Sequence, residues 1–235
     1  MSNVLSIKDL HVKINQSHIL HGVTFDIPAN KVTALLGRNG VGKSTTLKTI
    51  MGFYAGTGSV SFHGEEILNK DTYKIAQSGI AYIPEDREIF ASLSVKENLA
   101  LAARGKDHAD AYKFVHSLFP ELDTRAQQRA GSLSGGQQQM LTLGMAFIER
   151  PRLLMIDELS LGLAPAIVVQ LFQKIAELRD SGMTILLVEQ NAKSALKIAH
   201  DAVVLHLGVV AAAATAAEVA ADERLRQYYL GLVDQ

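Results

Sequence analysis

The sequence predicts an α/β fold in which helices cover both faces of a buried parallel sheet. After Pro151, apolar runs such as "RLLMID" and "MTILLVE" alternate with helical patterns. Such runs are typical of strands that are buried on both faces, as in parallel sheets. The chain has 235 residues, of which 48% are hydrophobic, so it is long and apolar enough to bury a full core.

The first part of the core, residues 1–86, combines two kinds of strand. "MSNVLSIKDLHVKI", "GVTFDI" and "GSVSFHG" alternate apolar and polar residues, which favours an N-terminal antiparallel β subdomain. "VTALLG" and "GIAYIP" are continuous apolar runs, and "KSTTLKTIMGF" between them has a helical pattern. We therefore expect β-strands followed by a strand–loop–helix unit.

Residues from about 87 to 150 have a helical pattern, which we interpret as an inserted helical subdomain. Ser94 and Glu97 form a capping box ahead of "VKENLALAAR", an arrangement that satisfies backbone N–H groups at a helix start. A later helix has one apolar face, formed by Met140, Leu143, Gly144 and Phe147.

The core resumes over residues 151–235, where strands alternate with helices from about Pro165 to Arg179 and from about Asn191 to Ala199. The segment "AVVLHLGVVAAAATAAEVAA", Ala202–Ala221, is interrupted by polar residues and rich in alanine. Alanine contributes little transfer energy. We interpret this segment as strand, turn, strand and helix start rather than as a membrane span.

Composition excludes several classes of protein. The formal charge of −1 and the pI near 6.7 provide no global positive field for nucleic acid or an anionic membrane surface. The chain has no cysteine, which excludes disulfides and thiolate metal sites and is compatible with a reducing compartment. The eight histidines are scattered, so no histidine metal site is predicted.

The segment "GRNGVGKST" fits the phosphate-binding pattern G-x-x-x-x-G-K-[ST] between an apolar strand and a helix. Its glycines let successive N–H groups point at phosphates, Lys43 places a charge at the β- and γ-phosphates, and the Ser44 hydroxyl can bind Mg²⁺. The sequence thus predicts a P-loop nucleotide-binding core. The predicted nucleotide-binding residues of this loop are Gly37, Arg38, Asn39, Gly40, Val41, Gly42, Lys43, Ser44 and Thr45.

A nucleotide with Mg²⁺ needs a second acidic group at the end of a neighbouring strand, and "RLLMIDE" supplies one. Asp157 is placed to hold the Mg²⁺ shell. Glu158 is placed to orient or deprotonate an attacking water. Two carboxylates at a strand end can also be a solvated terminus, but the phosphate-binding loop favours the catalytic interpretation.

A second anion-binding helix start lies far from the phosphate loop in sequence. "SLSGGQQQMLTLGMAF" puts a Ser-Gly-Gly turn in front of an amphipathic helix, and the N–H groups at such a start attract anions. The residues concerned are Ser134, Gly135, Gly136 and Gln137.

With these motifs, and with "LSGGQ" in particular, the chain resembles the nucleotide-binding subunits of ABC transporters over essentially its whole length. The resemblance implies an ATPase with a RecA-like core that binds ATP and Mg²⁺ and dimerises head to tail. The "LSGGQ" helix start of one chain then closes over the γ-phosphate held by the other, which explains two anion sites in one chain. It also implies transmembrane permease partners and a peripheral position on the cytoplasmic face of the cell membrane.

A narrower resemblance comes from residues that depart from the general family. "IPEDREIF" has Glu85 where most members have a glutamine that contacts Mg²⁺ and the transmembrane partner, and "VEQNA" has Gln190 where most have a histidine at the γ-phosphate. With "SLGLAP" and "YYLG", these features are similar to the ATPase subunits of importers for branched-chain amino acids and related amides. Glu85 is therefore a candidate metal ligand, Gln190 a candidate catalytic residue, and Asp86 and Arg87 candidates to face a partner.

Two residues fit neither group. Ile14 lies where members carry an aromatic residue that stacks on adenine, so it offers only aliphatic contact. Leu159 occupies the usual position of a proline after the catalytic glutamate, and the stretch around 211–217 is unusually rich in alanine.

We therefore expect an ATPase that powers an importer and that pairs with a second ATPase subunit, either the same chain or a related one. A solute-binding protein would take part indirectly, and no nucleic acid is expected. The alternatives are a soluble ABC ATPase of DNA repair or translation and a P-loop kinase. The lack of a coiled-coil insertion or second copy argues against the former, and "LSGGQ" argues against the latter.

Overall fold

The computed structural model describes residues 3–86, 88–103 and 109–229. The strands are β1 Asn3–Ile14, β2 Ser17–Pro28, β3 Val32–Leu36, β4 Gly56–Phe62, β5 Glu65–Glu66, β6 Ile80–Ile83, β7 Leu153–Asp157, β8 Thr184–Glu189, β9 Asp201–His206 and β10 Val209–Thr215. The helices are α1 Lys43–Ile50, α2 Thr72–Gln77, α3 Val95–Ala102, α4 Ala109–Leu118, α5 Pro120–Thr124, α6 Gly135–Ile148, α7 Pro165–Asp180, α8 Ala192–Ile198 and α9 Ala216–Ala221. Arg87 and the last two residues of "YYLG" lie outside the described residues.

The central sheet has the strand order β10-β9-β3-β8-β7-β6. Strands β9, β3, β8, β7 and β6 are parallel, and β10 pairs antiparallel with β9 at one edge. Every residue of β3, β7 and β8 is buried, which confirms that their apolar runs form strands covered on both faces. The parallel arrangement brings the carboxyl ends of β3, β7 and β8 to one edge of the sheet, where the predicted catalytic residues lie.

Two hydrophobic cores flank the central sheet because successive strand residues point to opposite faces. In β3, Leu35 faces one core and Leu36 the other. The core on the Leu35 side also includes α1 and a second sheet of order β2-β1-β4-β5, whose pairs are antiparallel. The N-terminal sequence therefore forms the antiparallel layer that its alternating pattern predicts.

Helices α3 to α6 occur between β6 and β7 in the chain, and we call them the helical insertion. Ser94 caps α3 in a capping box with Glu97, as predicted. The predicted apolar face of α6 is buried, and a β-carbon at Gly144 would lie 2.9 Å from Val115 of α4. The helices of the insertion thus pack closely against one another, and they contribute to the core on the Leu36 side.

The segment 202–221 forms β9, a turn, β10 and the start of α9, which confirms the interpretation from sequence. No described helix combines the length and the apolar character that crossing a bilayer requires. In β10, Ala212 and Ala214 pack on the core while the alternate residues are exposed. Leu159 is 1% exposed and packs in the same core, so this residue, for which the family pattern has a proline, contributes to packing.

Candidate functional site

The phosphate loop connects the end of β3 to the start of α1, and its backbone requires glycine. Gly37 has φ 148°, and a β-carbon there would lie 2.4 Å from the Leu205 carbonyl oxygen. Gly42 has φ 107°, and a β-carbon there would lie 2.5 Å from Leu20. The turn between them is exposed at Arg38, Asn39 and Gly40 and buried at Val41. The loop thus presents its backbone to solvent at the start of a helix, where N–H groups are free to bind anions.

Lys43, the first residue of α1, turns its side chain back into this loop. Its Nζ donates hydrogen bonds to the carbonyl oxygens of Gly37 (2.9 Å) and Arg38 (3.2 Å) and lies 3.4 Å from Glu158 Oε1. The residue is 4% exposed. A buried ammonium requires such partners, so a bound phosphate would compete with the Glu158 carboxylate for Lys43.

Ser44 and Asp157, the two candidate Mg²⁺ ligands from α1 and β7, are in direct contact. Ser44 Oγ donates to Asp157 Oδ1 at 3.0 Å, and the Tyr82 hydroxyl donates to Asp157 Oδ2 at 3.1 Å. Burial raises the pKa of the Asp157 carboxyl, while these two hydrogen bonds oppose the shift. Burial and the Asp157 charge raise the pKa of the Tyr82 phenol, so the phenol keeps its proton at neutral pH and acts as a donor.

Glu158 follows β7 in an unusual backbone conformation, with φ 48°. Its N–H donates to the Val188 carbonyl oxygen at 2.9 Å, and Gln190 Nε2 donates to its Oε2 at 2.5 Å. Glu158 is 8% exposed. A left-handed backbone conformation costs about 1 kcal/mol for a residue with a β-carbon. The hydrogen bonds to Val188 and Gln190 offset this cost and hold the Glu158 carboxylate in position.

A second pair lies beside Glu158 and Gln190. Ser160 donates through its N–H to Glu189 Oε1 (3.1 Å) and through its hydroxyl to Glu189 Oε2 (2.7 Å). Burial raises the pKa of Glu189, although both hydrogen bonds oppose the shift. The loop after β7 is therefore joined to the end of β8 by two crosswise side-chain pairs, Glu158–Gln190 and Ser160–Glu189, which we call the β7–β8 clasp.

The "LSGGQ" turn begins α6 away from these contacts. Ser134 is exposed and forms a capping box in which the Gln137 N–H donates to Ser134 Oγ and the Ser134 N–H donates to Gln137 Oε1. Gly136 is buried, and a β-carbon there would lie 2.4 Å from Ile167 of α7. The helix start is thus anchored on α7, with the serine on the surface.

Two predicted residues do not join the cluster around Lys43. Ile14, at the end of β1, is partly buried against the core on the Leu35 side. Glu85 is exposed beyond β6; among the described residues, no hydrogen bond or ion pair joins it to Ser44 or Asp157. Its charge nevertheless adds to the raised pKa of Tyr82, so it lies in that neighbourhood.

Sequence reasoning missed Tyr82, Ser160 and Glu189. Tyr82 reads as one more apolar residue of "GIAYIP", and Ser160 and Glu189 are single polar residues beside stronger motifs. The one available signal was position, since each lies at or within three residues of the carboxyl end of a predicted strand, where side chains of parallel strands converge.

The donor set fits a magnesium nucleotide. Within the described ranges, no group of three or more histidine, aspartate or glutamate side chains forms a ready-made metal cage. Mg²⁺ is commonly held by one or two protein oxygens together with substrate phosphates. The Ser44 hydroxyl and the Asp157 carboxylate supply oxygens of this kind at 3.0 Å from each other.

Comparison with known proteins identifies the family of this chain. Residues 20–160 match the ABC transporter family. The high-affinity branched-chain amino acid transport ATP-binding protein BraG of Pseudomonas aeruginosa is 41% identical, with 97% of this chain and 100% of BraG covered. A probable branched-chain amino acid transport ATP-binding protein, LivF of Archaeoglobus fulgidus, is 39% identical, with 95% and 98% covered.

Solved structures support the same fold. An ATP-binding subunit of an ABC transporter superposes with a TM-score of 0.82 at 31% identity, covering 97% of this chain and 96% of that one. The ADP conformation of an ATP-binding cassette of an ABC transporter gives a TM-score of 0.85 at 22% identity, covering all of both chains. The chain therefore belongs to the ABC transporter family, as one of its ATP-binding and ATP-hydrolysing subunits.

Proposed function

We propose that this chain is the Mg²⁺-dependent ATPase subunit of an importer for branched-chain amino acids or related amides and small polar solutes. The observation that carries the proposal is the meeting of Lys43, Ser44, Asp157, Glu158 and Gln190 at the carboxyl ends of β3, β7 and β8. The names of the 41% and 39% identical relatives support the class of solute.

In this proposal, the loop amides and Lys43 hold the phosphates of ATP. Ser44 and Asp157 hold Mg²⁺, which when bound supplies positive charge at the β- and γ-phosphate oxygens. Glu158 orients the attacking water and accepts its proton, while Gln190 donates a hydrogen bond to fix Glu158 and to contact the γ-phosphate. Glu85 remains a candidate to approach the metal from the loop after β6.

The proposed active form is a head-to-tail dimer with the same chain or a related one. Ser134, which is exposed, and the amides of Gly135 and Gly136 lie at the start of α6, where Gln137 closes the capping box on Ser134. A helix start of this kind attracts a phosphate. The partner's γ-phosphate is the anion that would occupy it, so one ATP is held between two chains.

The proposed permease partner docks in a cleft of about 520 Å³ beside the edge strand β6. We call it the β6 cleft; it is lined by Phe53 after α1, by Tyr82 of β6, and by Leu101 and Met145 of the helical insertion. Phe53 is 54% exposed and Leu101 49% exposed, so the cleft offers apolar surface to a protein segment. The chain would thus lie on the cytoplasmic face of the membrane, and a solute-binding protein would act through the permease.

The test is a comparison of hydrolysis with binding in Glu158→Gln. The variant should lose at least about a hundredfold in single-turnover ATP hydrolysis, since it removes the group that acts on water, yet bind ATP as tightly as the parent. Glu65→Gln, the same change at an exposed position of β5, is the control and should leave both unchanged. Parental hydrolysis in Glu158→Gln would remove Glu158 from the mechanism.

A further inference from the structure

Tyr82 is in contact with two places that the proposed function treats separately. Its ring lines the β6 cleft and lies 6.2 Å, centre to centre, from the ring of Phe53. Its hydroxyl donates to Asp157 Oδ2 at 3.1 Å. One side chain therefore reaches from a surface cleft to the carboxylate that is the candidate metal ligand.

The orientation of the Asp157 carboxylate depends on its hydrogen bond from Tyr82. Asp157 is 1% exposed, and its two oxygens have different donors, Ser44 for Oδ1 and Tyr82 for Oδ2. A buried carboxylate oxygen without a donor is unfavourable. If the phenol moves, the carboxylate must turn toward another donor, and the oxygen that faces Ser44 turns with it.

Tyr82 is also placed where an occupant of the cleft would press on it. Strand β6 is the edge strand of the central sheet and pairs only with β7 in the described topology. The cleft side of Tyr82 is bordered by Phe53, a residue that is 54% exposed. A segment that packs on Phe53 would therefore change the packing around the Tyr82 ring.

We propose that Tyr82 is a positioning residue that orients Asp157 toward Mg²⁺ and links occupancy of the β6 cleft to the metal site. The inference rests on the proposed function, because it needs Asp157 to hold the metal. Coupling between two sites is reciprocal. Mg²⁺-nucleotide binding should therefore alter the surroundings of Phe53, just as a partner in the cleft should alter Mg²⁺ binding.

The experiment uses Phe53→Trp as a reporter in the cleft. The sequence contains no tryptophan, so emission from the introduced indole comes from this position alone. ATP is added in EDTA, MgCl₂ is then titrated, and the emission is recorded for the reporter chain with Tyr82, with Tyr82→Phe, and with Tyr73→Phe. The last variant makes the same chemical change at a tyrosine that is 60% exposed on α2.

We expect the Phe53→Trp chain that retains Tyr82 and the Phe53→Trp chain with Tyr73→Phe to change emission at the same Mg²⁺ concentration. Tyr82→Phe keeps the ring but lacks the donor, so its half-maximal Mg²⁺ concentration should rise about tenfold, the loss typical of a hydrogen bond to a charged group. Its emission change should also shrink. Binding of a fluorescent ATP analogue in EDTA should stay within about twofold of the parent, because the phosphate loop is untouched.

An unchanged Mg²⁺ midpoint and an unchanged emission response in Tyr82→Phe would overturn the inference. A shifted midpoint with a full emission response would overturn the link to the cleft and leave only the positioning role. Asp157→Asn separates this result from failure of the proposed function. If Asp157→Asn binds Mg²⁺-ATP like the parent, the metal assignment itself is wrong.

Discussion

At the scale of single residues, the Glu158 carboxylate is shared between two partners. Oε1 lies 3.4 Å from the Lys43 ammonium, and Oε2 accepts the hydrogen bond from Gln190. Entry of the γ-phosphate would draw Lys43 away from Glu158, whereas Gln190 can keep its bond. The orientation of the proposed base during hydrolysis then depends mainly on Gln190.

Gln190→Ala should therefore slow single-turnover hydrolysis by about tenfold or more, since Glu158 loses a charged-acceptor hydrogen bond. Gln190→His should retain most of the rate, because a ring N–H can donate in place of the amide. Both variants should still bind ATP, because the phosphate loop and Lys43 are untouched. A parental rate for the alanine variant would show that Gln190 does not orient the base.

Glu189 gives a prediction about pH because burial raises its pKa. Between the ordinary value of about 4.3 and the raised value, the folded protein retains a proton that the unfolded chain has released. The free energy of unfolding consequently falls as the pH rises through this window.

Glu189→Gln does not titrate at this position, so its stability relative to the parent should improve as the pH rises above about 4.3 and level off once the pH exceeds the raised pKa of Glu189. Urea unfolding at several pH values measures the difference. The control is Glu65→Gln at an exposed position, whose difference from the parent should not vary in this way. A pH-independent difference for Glu189→Gln would mean that the Glu189 proton is not retained on folding.

At the scale of elements, α3 and α6 begin with the same device, a serine in a capping box. Only the serine of α6 belongs to the "LSGGQ" turn. The contribution of each serine to stability can therefore be distinguished from a contribution to catalysis by making the same substitution at Ser94 and at Ser134.

Ser94→Ala and Ser134→Ala should each lower the free energy of unfolding by about 1 kcal/mol, the usual effect of losing a helix cap. Ser134→Ala should in addition slow ATP hydrolysis, whereas Ser94→Ala should leave it unchanged. Urea unfolding and an ATPase assay on both variants provide the measurements. Equal rates in the two variants would mean that Ser134 acts only as a cap.

The elements also differ in how far sequence could predict them. The buried strands and the capping box of α3 depend on local patterns, and they form where those patterns predict. The position of β3 between β8 and β9 depends on packing between distant segments, which no local pattern records. For the same reason the phosphate loop, Asp157 and Glu158 could be found from sequence, whereas the Tyr82–Asp157 and Ser160–Glu189 pairs could not.

At the scale of the whole molecule, the two candidate anion sites belong to different parts of the fold. The phosphate loop joins β3 to α1 in the core, and the "LSGGQ" turn begins α6 in the helical insertion. If each ATP site is completed by the helical insertion of a second chain, two chains with different defects can together form one intact site in a mixed dimer.

Lys43→Ala and Ser134→Arg should each abolish hydrolysis alone, the first by damaging the cradle and the second by blocking the helix start. A mixed dimer contains one intact site and one doubly damaged site, so ATPase activity should reappear when the two inactive proteins are mixed. Sedimentation of Glu158→Gln with ATP checks that the chains pair. A dimer of one parental chain and one chain with both substitutions is the control. If that dimer hydrolyses ATP while the mixed dimers recover no ATPase activity, each site is completed within one chain.

The β7–β8 clasp also bears on recombination between relatives. In both pairs, Glu158–Gln190 and Ser160–Glu189, one residue lies in the segment after β7 and the other lies at the end of β8 or directly after it. Exchanging either segment alone therefore separates both pairs. A chimera that imports only the segment after β7 would place foreign side chains against Glu189 and Gln190. The two segments that must be exchanged together are thus separated in the gene. Crossover points for shuffled libraries are best chosen so that residues 158–160 and 189–190 come from the same parent.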